Sequence, residues 1–294
     1  MSDKPQRISD KDLKAQLLDS SQQESTQAIV KESNFPTEII ELPSQGLPYA
    51  EDNPLSSGKV EMKYMTAKEE DILTTQSYIT QGIVLDKLFK ALIISNGEGK
   101  QVKYNDLLVG DKNAIMIAAR VLGYGKEYTM NIPDPWNNEE PQECMIDLTT
   151  LPDKELHESV VKNPNDSIFE FELPASRKII TFKLMTHGTE RKVEYAIKDI
   201  KKKQKRLKDE TDRTMSTRLK YMIISIDGDT SEKGIAEFVD TQMLALDSRA
   251  FRKHILAITP DVDLSYTFVS NETGDEQEME IPIEVSFFWP DARV

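Results

Sequence analysis

Two short segments with the same internal pattern, Tyr128–Leu148 and Leu264–Ile283, constrain the fold of this chain more than any other feature. Each begins with a strand-like run (YTMNI; LSYTFVS), passes through a polar tip rich in Asn, Asp, Gly and Glu, and leaves through an alternating run (CMIDL; MEIPI). Alternation on both sides of a polar tip is typical of a β-hairpin. The pattern therefore predicts two small β-ribbons.

Ribbons of this size are often held together by zinc, which is bound by four cysteine or histidine side chains. The chain contains a single cysteine, Cys144, so it can form neither an intrachain disulfide nor a cysteine-rich metal site. We expect Cys144 to pack as a small hydrophobic side chain. The two segments are therefore interpreted as degenerate zinc-ribbon-like elements held by strand pairing and packing, and the sequence predicts no metal and no cofactor.

Length and charge narrow the class of protein further. The chain has 294 residues, enough for a sizeable core and about two lobes, and its 37 Lys and Arg against 51 Asp and Glu give a net charge of −14. An acidic surface repels phosphate groups and anionic membranes. The N-terminus is polar, and no stretch has the roughly 20 apolar residues of a membrane span. We expect a cytosolic protein that binds neither nucleic acid nor membrane.

Composition and apolar periodicity divide the chain into four parts. Residues 1–34 are rich in Ser, Gln, Lys and Asp and are expected to form a mobile polar tail. Residues 35–122 carry an extended arm or ribbon and then a helical lobe, and residues 123–166 hold the first ribbon-like element and a polar linker. Residues 167–294 contain a strand pair, helices and the C-terminal ribbon. This order predicts an α+β fold with helical lobes, a β-hairpin and two small β-ribbons.

Several helices are predicted within these parts. Thr66 followed by Glu69 is a capping box, which predicts a helix from about Ala67. Apolar periodicity predicts the other helices. They cover residues 82–95, 104–122, 189–208, 216–226, 234–243 and 247–258, the last with Asp247 as its N-cap.

No combination of residues points to catalysis. The three histidines, His157, His187 and His254, lie in unrelated local sequences, and none adjoins a nucleophile motif or a metal-binding helix motif. The Gly97–Lys100 run lacks the glycine spacing of a phosphate-binding loop. The Asp227–Glu232 run lacks the twelve-residue ligand order of a calcium loop. The sequence therefore predicts a protein that is not an enzyme.

One basic cluster, KDIKKKQKRLK at residues 198–208, stands out from the acidic background. On a helix its charges form a solvated face, or they contact an acidic protein partner. Nucleic acid is the less favoured partner because no aromatic residue that could stack on bases is interleaved with the lysines.

Aromatic residues in the arms and near the C-terminus are the candidate partner-binding residues. They are Tyr49, Trp136, Phe287, Phe288 and Trp289. Aromatic side chains anchor interfaces well because they bury a large area at low entropic cost. The alternative is that they cover the edge of their own domain.

A resemblance to a known family rests on a series of segments in a fixed order. These are IIELPSQGLPY, SSGKVEMKYMTAKEEDIL, KALI, FEFELPASRKIITFKLMT, IDGDTSEKGIAEFVDTQMLALDSRAFRKHI with TPDVDL, and FFWP at the C-terminus. From about Phe35 onward, the chain resembles the baseplate hub subunit and hub-assembly proteins of T4-like contractile-tailed bacteriophages. Many members carry Cys-x-x-Cys knuckles in one or both ribbons, whereas this chain keeps only Cys144, so zinc binding does not carry over.

The resemblance implies a late, non-enzymatic phage protein that builds the hub of the tail baseplate, as a structural subunit or as an assembly factor with a chaperone role. Its implied partners are other baseplate hub proteins and tail tape-measure proteins, and formation of a homo-oligomer stays open. Its implied location is the host cytoplasm during assembly, and the finished virion if it is a structural subunit. The alternative hypothesis is a metal-binding or nucleic-acid-associated phage protein that uses the ribbon elements.

Overall fold

The structure, a computed structural model, describes residues 36–136, 141–162, 164, 167–207, 211–283 and 285–288. The predicted tail at residues 1–34 and the candidate Trp289 lie outside these residues. Those from Thr37 onward belong to one compact unit.

The chain folds as helices packed around small antiparallel sheets, so the α+β class is confirmed. The first part contains strands β1 (Thr37–Glu41), β2 (Lys59–Lys63), β3 (Ile93–Ser95), β4 (Glu127–Pro133) and β5 (Pro141–Asp147), and helices α1 (Ala67–Thr74), α2 (Gln76–Gln81), α3 (Val84–Leu92) and α4 (Val109–Tyr124). A short helix α5 (Glu158–Lys162) follows. The second part contains β6 (Phe169–Glu172), β7 (Ile179–Phe182), β8 (Ile223–Ile226), β9 (Ser265–Val269) and β10 (Glu276–Glu280), and helices α6 (His187–Leu207), α7 (Thr214–Met222), α8 (Glu232–Glu237) and α9 (Ala245–Ile258).

The same order of elements occurs twice along the chain. In each half a β-hairpin is followed by helices, a third strand, a long helix and a second hairpin. The sheets β1-β2-β3 and β6-β7-β8 share this strand order, and in both the register of the last pair shifts in the middle strand. Short sequences recur at matching places in the two halves: ELPS and ELPA after the first strand, KYMT and KLMT after the second, and LIIS and MIIS at the third.

A buried aspartate recurs at the start of the long helix in each half. Asp111 in α4 accepts a hydrogen bond from Ser44 N (3.0 Å), in the loop after β1. Asp247 in α9 accepts from Ala175 N (2.7 Å) and Ser176 N (3.1 Å), in the loop after β6. The predicted N-cap role of Asp247 is wrong, because Leu244 is the N-cap and Asp247 lies in the first turn. Each carboxylate instead ties a helix N-terminus to a sheet loop.

One main hydrophobic cluster draws on both halves and on every predicted part from residue 37 onward. Leu88 and Phe89 from α3 meet the same core as Phe182 from β7 and Phe251 from α9. The proposed division of the chain into parts stays a prediction, but the described residues of these parts share this core.

Several predicted boundaries agree with the structure and several differ. Glu69 accepts a hydrogen bond from Thr66 N (3.1 Å), and α1 begins at Ala67 as predicted. The predicted helices 82–95 and 216–226 end early, at Leu92 and Met222, because the isoleucines that follow each helix enter a sheet.

Candidate interaction surface

The two predicted ribbons are β-hairpins, and they pack against each other. Strands β4 and β5 pair from Glu127 with Asp147 to Pro133 with Pro141, and β9 and β10 pair from Ser265 with Glu280 to Val269 with Glu276. The inner faces meet in a small separate cluster. Its buried members are Met130, Ile132, Phe268 and Ile281. Packing between the inner faces therefore holds the two hairpins together.

Hydrogen bonds fix the hairpins to each other at their tips. Ser270 Oγ donates to Asp134 Oδ2 (2.6 Å), and both residues are buried. Gln142 bridges to the other hairpin, because its Nε2 donates to Val269 O (2.9 Å) and its Oε1 accepts from Asn271 N (2.8 Å). Bonds from both sides of one amide hold the relative position of the two hairpins at the described residues beside their tips.

Trp136 lies beside these tips and is the exposed one among the candidate residues that the structure describes. Its side chain is 43% exposed, and its ring stacks over Phe268 with 6.4 Å between ring centroids. Trp136 N donates to Asp134 Oδ1 (2.9 Å), so the same aspartate positions both tips. A role for Trp136 in binding a partner stays a prediction.

Tyr49, Phe287 and Phe288 are buried, so as the structure describes them they have little surface to offer a partner. Tyr49 Oη donates to Asp111 Oδ2 (2.5 Å) and accepts from Leu108 N (2.8 Å), so it completes the buried aspartate site of the first half. Phe287 and Phe288 have no exposed surface and join the main core. These three aromatic side chains cover their own domain, the alternative that the sequence left open.

Burial perturbs the acid–base chemistry of the Tyr49–Asp111 pair. Burial raises the pKa of Asp111 to about 6, although hydrogen bonds from Tyr49 and Ser44 act in the opposite direction. Burial and the nearby Asp111 carboxylate raise the pKa of Tyr49. Both side chains are buried, and their hydrogen bond holds the loop that carries Tyr49 against α4.

Cys144 lies on the inner face of β5, opposite Met130, and packs beside the small cluster of the hairpin pair. The residues that the structure describes contain no group of three or more His, Cys, Asp or Glu side chains arranged to hold a metal ion. The packing role predicted for Cys144 agrees with this position.

A charged cluster joins the two halves, and sequence reasoning missed it. Asp86 of α3 lies 2.9 Å from His187 Nε2 and also contacts the guanidinium of Arg191, both on α6. Lys112 Nζ of α4 lies 3.0 Å from Glu190 Oε2 of α6. Burial, followed by the nearby Lys112 charge, lowers the pKa of His187 to about 4. No local motif could reveal the cluster, because its members come from three helices.

The other two histidines meet at the junction of α5 and α9. The rings of His157 and His254 lie 6.0 Å apart, and His254 stacks on Phe171 at 4.5 Å. His157 Nδ1 accepts from Ser159 N (3.2 Å), which places this ring at the start of α5. The contacts of these two rings are those of packing and capping.

Comparison with known proteins gives no relative: no protein-family model, no curated protein and no solved structure matches the chain. Among the helices that the structure describes, none is both long enough and apolar enough to cross a membrane.

Proposed function

We propose that this chain is a non-enzymatic phage tail protein that acts in the assembly or structure of the baseplate hub through protein–protein contacts. The family resemblance of the sequence supplies the biological setting. The hairpin pair supplies the contact surface. In this proposal the hairpins are degenerate zinc-ribbon-like elements that keep a contact role without metal.

The observation that carries the proposal is the half-exposed Trp136, which lies beside the hydrogen bonds that join the two hairpins. The bonds from Ser270 to Asp134 and from Gln142 to the second hairpin hold the two hairpins together beside Trp136 before any partner arrives. A preformed surface binds with a smaller entropic cost than a mobile one. A half-exposed tryptophan on such a surface is suited to serve as an interface anchor.

A pull-down with purified baseplate hub and tape-measure proteins tests the proposal. Trp136→Ala should weaken capture at least about tenfold, the size typical of a hot-spot residue. Tyr221→Ala is the matched control, because Tyr221 is also 43% exposed but lies on α7. Capture of nothing by the wild-type protein, together with normal tails from phage that lack it, would overturn the proposal.

Two further measurements distinguish the alternative forms of this proposal. Mass spectrometry of purified virions distinguishes a structural subunit, which stays in the particle, from an assembly factor that acts only in the host cytoplasm. Elemental analysis of the purified protein addresses the metal-binding alternative, and one stoichiometric zinc per chain would contradict the contact role without metal.

A further inference from the structure

Helix α6 carries an unusual outer face. It spans 21 residues, His187–Leu207, which corresponds to about 30 Å. Val193 and Gln204 are buried and Ile197 and Ile200 are half-buried, so these four define the side that faces the protein. The opposite side is available for contact with another molecule.

A single row of cations with one tyrosine runs along this opposite side. Its members are Arg191, Tyr195, Lys198, Lys202 and Lys205, at positions i, i+4, i+7, i+11 and i+14. At 3.6 residues per turn these positions fall within one narrow stripe of about 21 Å. We call this row the basic stripe. Lys198, Lys202 and Lys205 are exposed, and Tyr195 is 56% exposed.

The N-terminal end of the basic stripe is ordered by contacts among its own members and by the ion pair of the half-buried Arg191 with Asp86 of α3, so the three lysines supply the charge that a partner can meet. Arg191 Nη2 donates to Tyr195 Oη (2.7 Å), and the guanidinium lies 5.6 Å from the centre of the tyrosine ring. Lys198 Nζ lies 5.8 Å from the same ring on its other flank along the helix. Cations within about 6 Å of an aromatic ring are attracted to its face. The exposed ring and its two cations therefore form an ordered unit.

The lysines of the stripe are sparsely neutralised. Lys202 lies 3.4 Å from Asp199 in an exposed pair, which contributes little. Within the part of the chain that the structure describes, Lys198 and Lys205 have no carboxylate partner. The stripe thus concentrates positive charge on a chain whose net charge is −14, and it is complementary to an acidic surface.

We propose that the basic stripe binds an acidic α-helical segment of a partner protein. Carboxylates at i, i+4 and i+7 of a partner helix repeat at the same intervals as Lys198, Lys202 and Lys205, so two such helices pair charge by charge along this part of the stripe. An aromatic ring at one end gives the pairing a fixed register. This names the partner chemistry for a second surface within the proposed contact function, but it does not require that the partner be a hub protein.

Nucleic acid fits the stripe less well. Glu194 borders the stripe on one side and Asp199 on the other, so carboxylates flank the row of cations. Such borders repel the broad field of a polyanion, and the net charge of −14 acts in the same direction. A narrow acidic row on a helix whose flanks carry lysine or arginine matches both the stripe and its borders.

Fluorescence anisotropy with the full-length protein tests the inference. The probe is a labelled synthetic helix with Glu at i, i+4 and i+7, the spacing of Lys198, Lys202 and Lys205, and with Lys on the flanks. The comparison probes are a peptide of the same composition with its Glu residues spread around the helix, and a 20-nucleotide DNA in single-stranded and duplex form. We expect the patterned helix to bind at least about tenfold more tightly than the spread one and than either DNA.

Two triple variants on the same helix provide the sharpest comparison. The on-stripe variant carries Lys198→Gln, Lys202→Gln and Lys205→Gln. The off-stripe control carries Lys192→Gln, Lys201→Gln and Lys203→Gln, which remove the same charge from exposed positions outside the stripe. Glutamine has nearly the helix propensity of lysine, and circular dichroism checks that both variants fold. We expect about a tenfold loss of affinity for the first and less than about threefold for the second.

Three outcomes would overturn the inference. These are equal losses for the two variants, equal binding of the patterned and spread peptides, and tighter binding of either DNA. The last outcome would identify the stripe as a phosphate-binding surface. Because the peptide carries no hub sequence, this test can succeed where the hub pull-down fails, and the reverse also holds.

Discussion

At the scale of single residues, two buried aspartates, Asp111 and Asp247, make the same kind of contact in the two halves of the chain. A helix N-terminus has unpaired N–H groups, and a tight loop after a strand has others. Asp111 and Asp247 each occupy the first turn of a long helix and accept hydrogen bonds from the loop after the first strand of their half. Each aspartate therefore bonds to a loop that lies 67 to 72 residues earlier in the chain, a contact that the sequence around the aspartate does not reveal.

Asp247→Ala should destabilise the fold strongly. The substitution leaves the half-buried Ser176 N without its acceptor, whereas the exposed Ala175 can bond to water, so the cost is about 1–3 kcal/mol in the free energy of unfolding. Urea unfolding followed by circular dichroism measures this change. Asp240→Ala is the control, because the exposed pair of Asp240 with Lys220 is worth at most about 1 kcal/mol. Equal effects of the two substitutions would show that the loop does not depend on Asp247.

Two buried titrating groups give stability a pH dependence of opposite sign. The pKa of His187 is lowered to about 4, so its unfolded form binds the proton more readily and the stability it contributes is lost as pH falls from about 6.5 through 4. The pKa of Asp111 is raised to about 6, so its contribution favours the folded state at low pH and is lost as pH rises from about 4 through 6.

The His187→Gln variant separates these contributions. Glutamine does not titrate, so the variant should lose less stability than the wild type between pH 7 and pH 4.5. Melting temperatures measured at intervals of half a pH unit give the comparison. Parallel curves for the two proteins would mean that His187 does not titrate differently on folding.

The aromatic candidates show where residue-level prediction ends. The sequence shows that Phe287 and Phe288 are large, apolar and near the C-terminus, which fits both a partner-binding role and packing on their own domain. Their burial depends on α4 and on the first hairpin, because Arg120 Nε donates to Phe287 O (3.1 Å) and Tyr128 packs edge-on against Phe287 (4.8 Å). The residues next to Phe287 and Phe288 in the sequence do not indicate contacts with such distant parts of the chain, so their burial could not be predicted.

At the scale of elements, alternation identified the hairpins but periodicity misplaced two helix ends. A hairpin is specified locally by its alternating strands and polar tip, so both ribbons could be predicted. No glycine or proline separates α3 from β3 or α7 from β8, so the sequence carries no signal for the end of either helix. Isoleucines continue the apolar pattern of the helix, and only pairing with β2 and β7 makes them strands.

Ser270→Ala should loosen the hairpin pair without unfolding the main core. The substitution leaves the buried Asp134 carboxylate short of a donor, at a cost of about 1–3 kcal/mol. The buried residues of the hairpin pair form their own cluster, which meets the main core through half-buried side chains such as Tyr128 and Leu264, so hydrogen exchange should quicken most in β4 and β9 and least in α3. Ser216→Ala, which removes an exposed hydroxyl contact, serves as the control. Equal quickening throughout the chain would show that the hairpin pair and the core open together.

At the scale of the whole molecule, the two halves combine a shared plan with different surfaces. Sequence reasoning detected the repetition only in the ribbons, because elsewhere it rests on four-residue matches separated by segments of unequal length. The loop between β1 and β2 is long and carries Tyr49, whereas the loop between β6 and β7 is short. Helix α6 carries the basic stripe, whereas α1 and α2 occupy the matching place in the first half. The recurring parts form the scaffold, and the unmatched parts supply the candidate contacts.

The contact of Gly110 with Pro260 joins the two halves and tests whether they fold as one. A side-chain carbon at Gly110 would overlap the carbonyl oxygen of Pro260, so Gly110→Ala forces α4 away from the segment after α9 and costs about 1–3 kcal/mol. Because the main core draws on both halves, we expect one cooperative transition whose midpoint shifts equally for α3 and α9 in urea-dependent hydrogen exchange. Two transitions, with only one of them moved by the substitution, would show that each half is stable by itself and that the shared core is a docking contact between them.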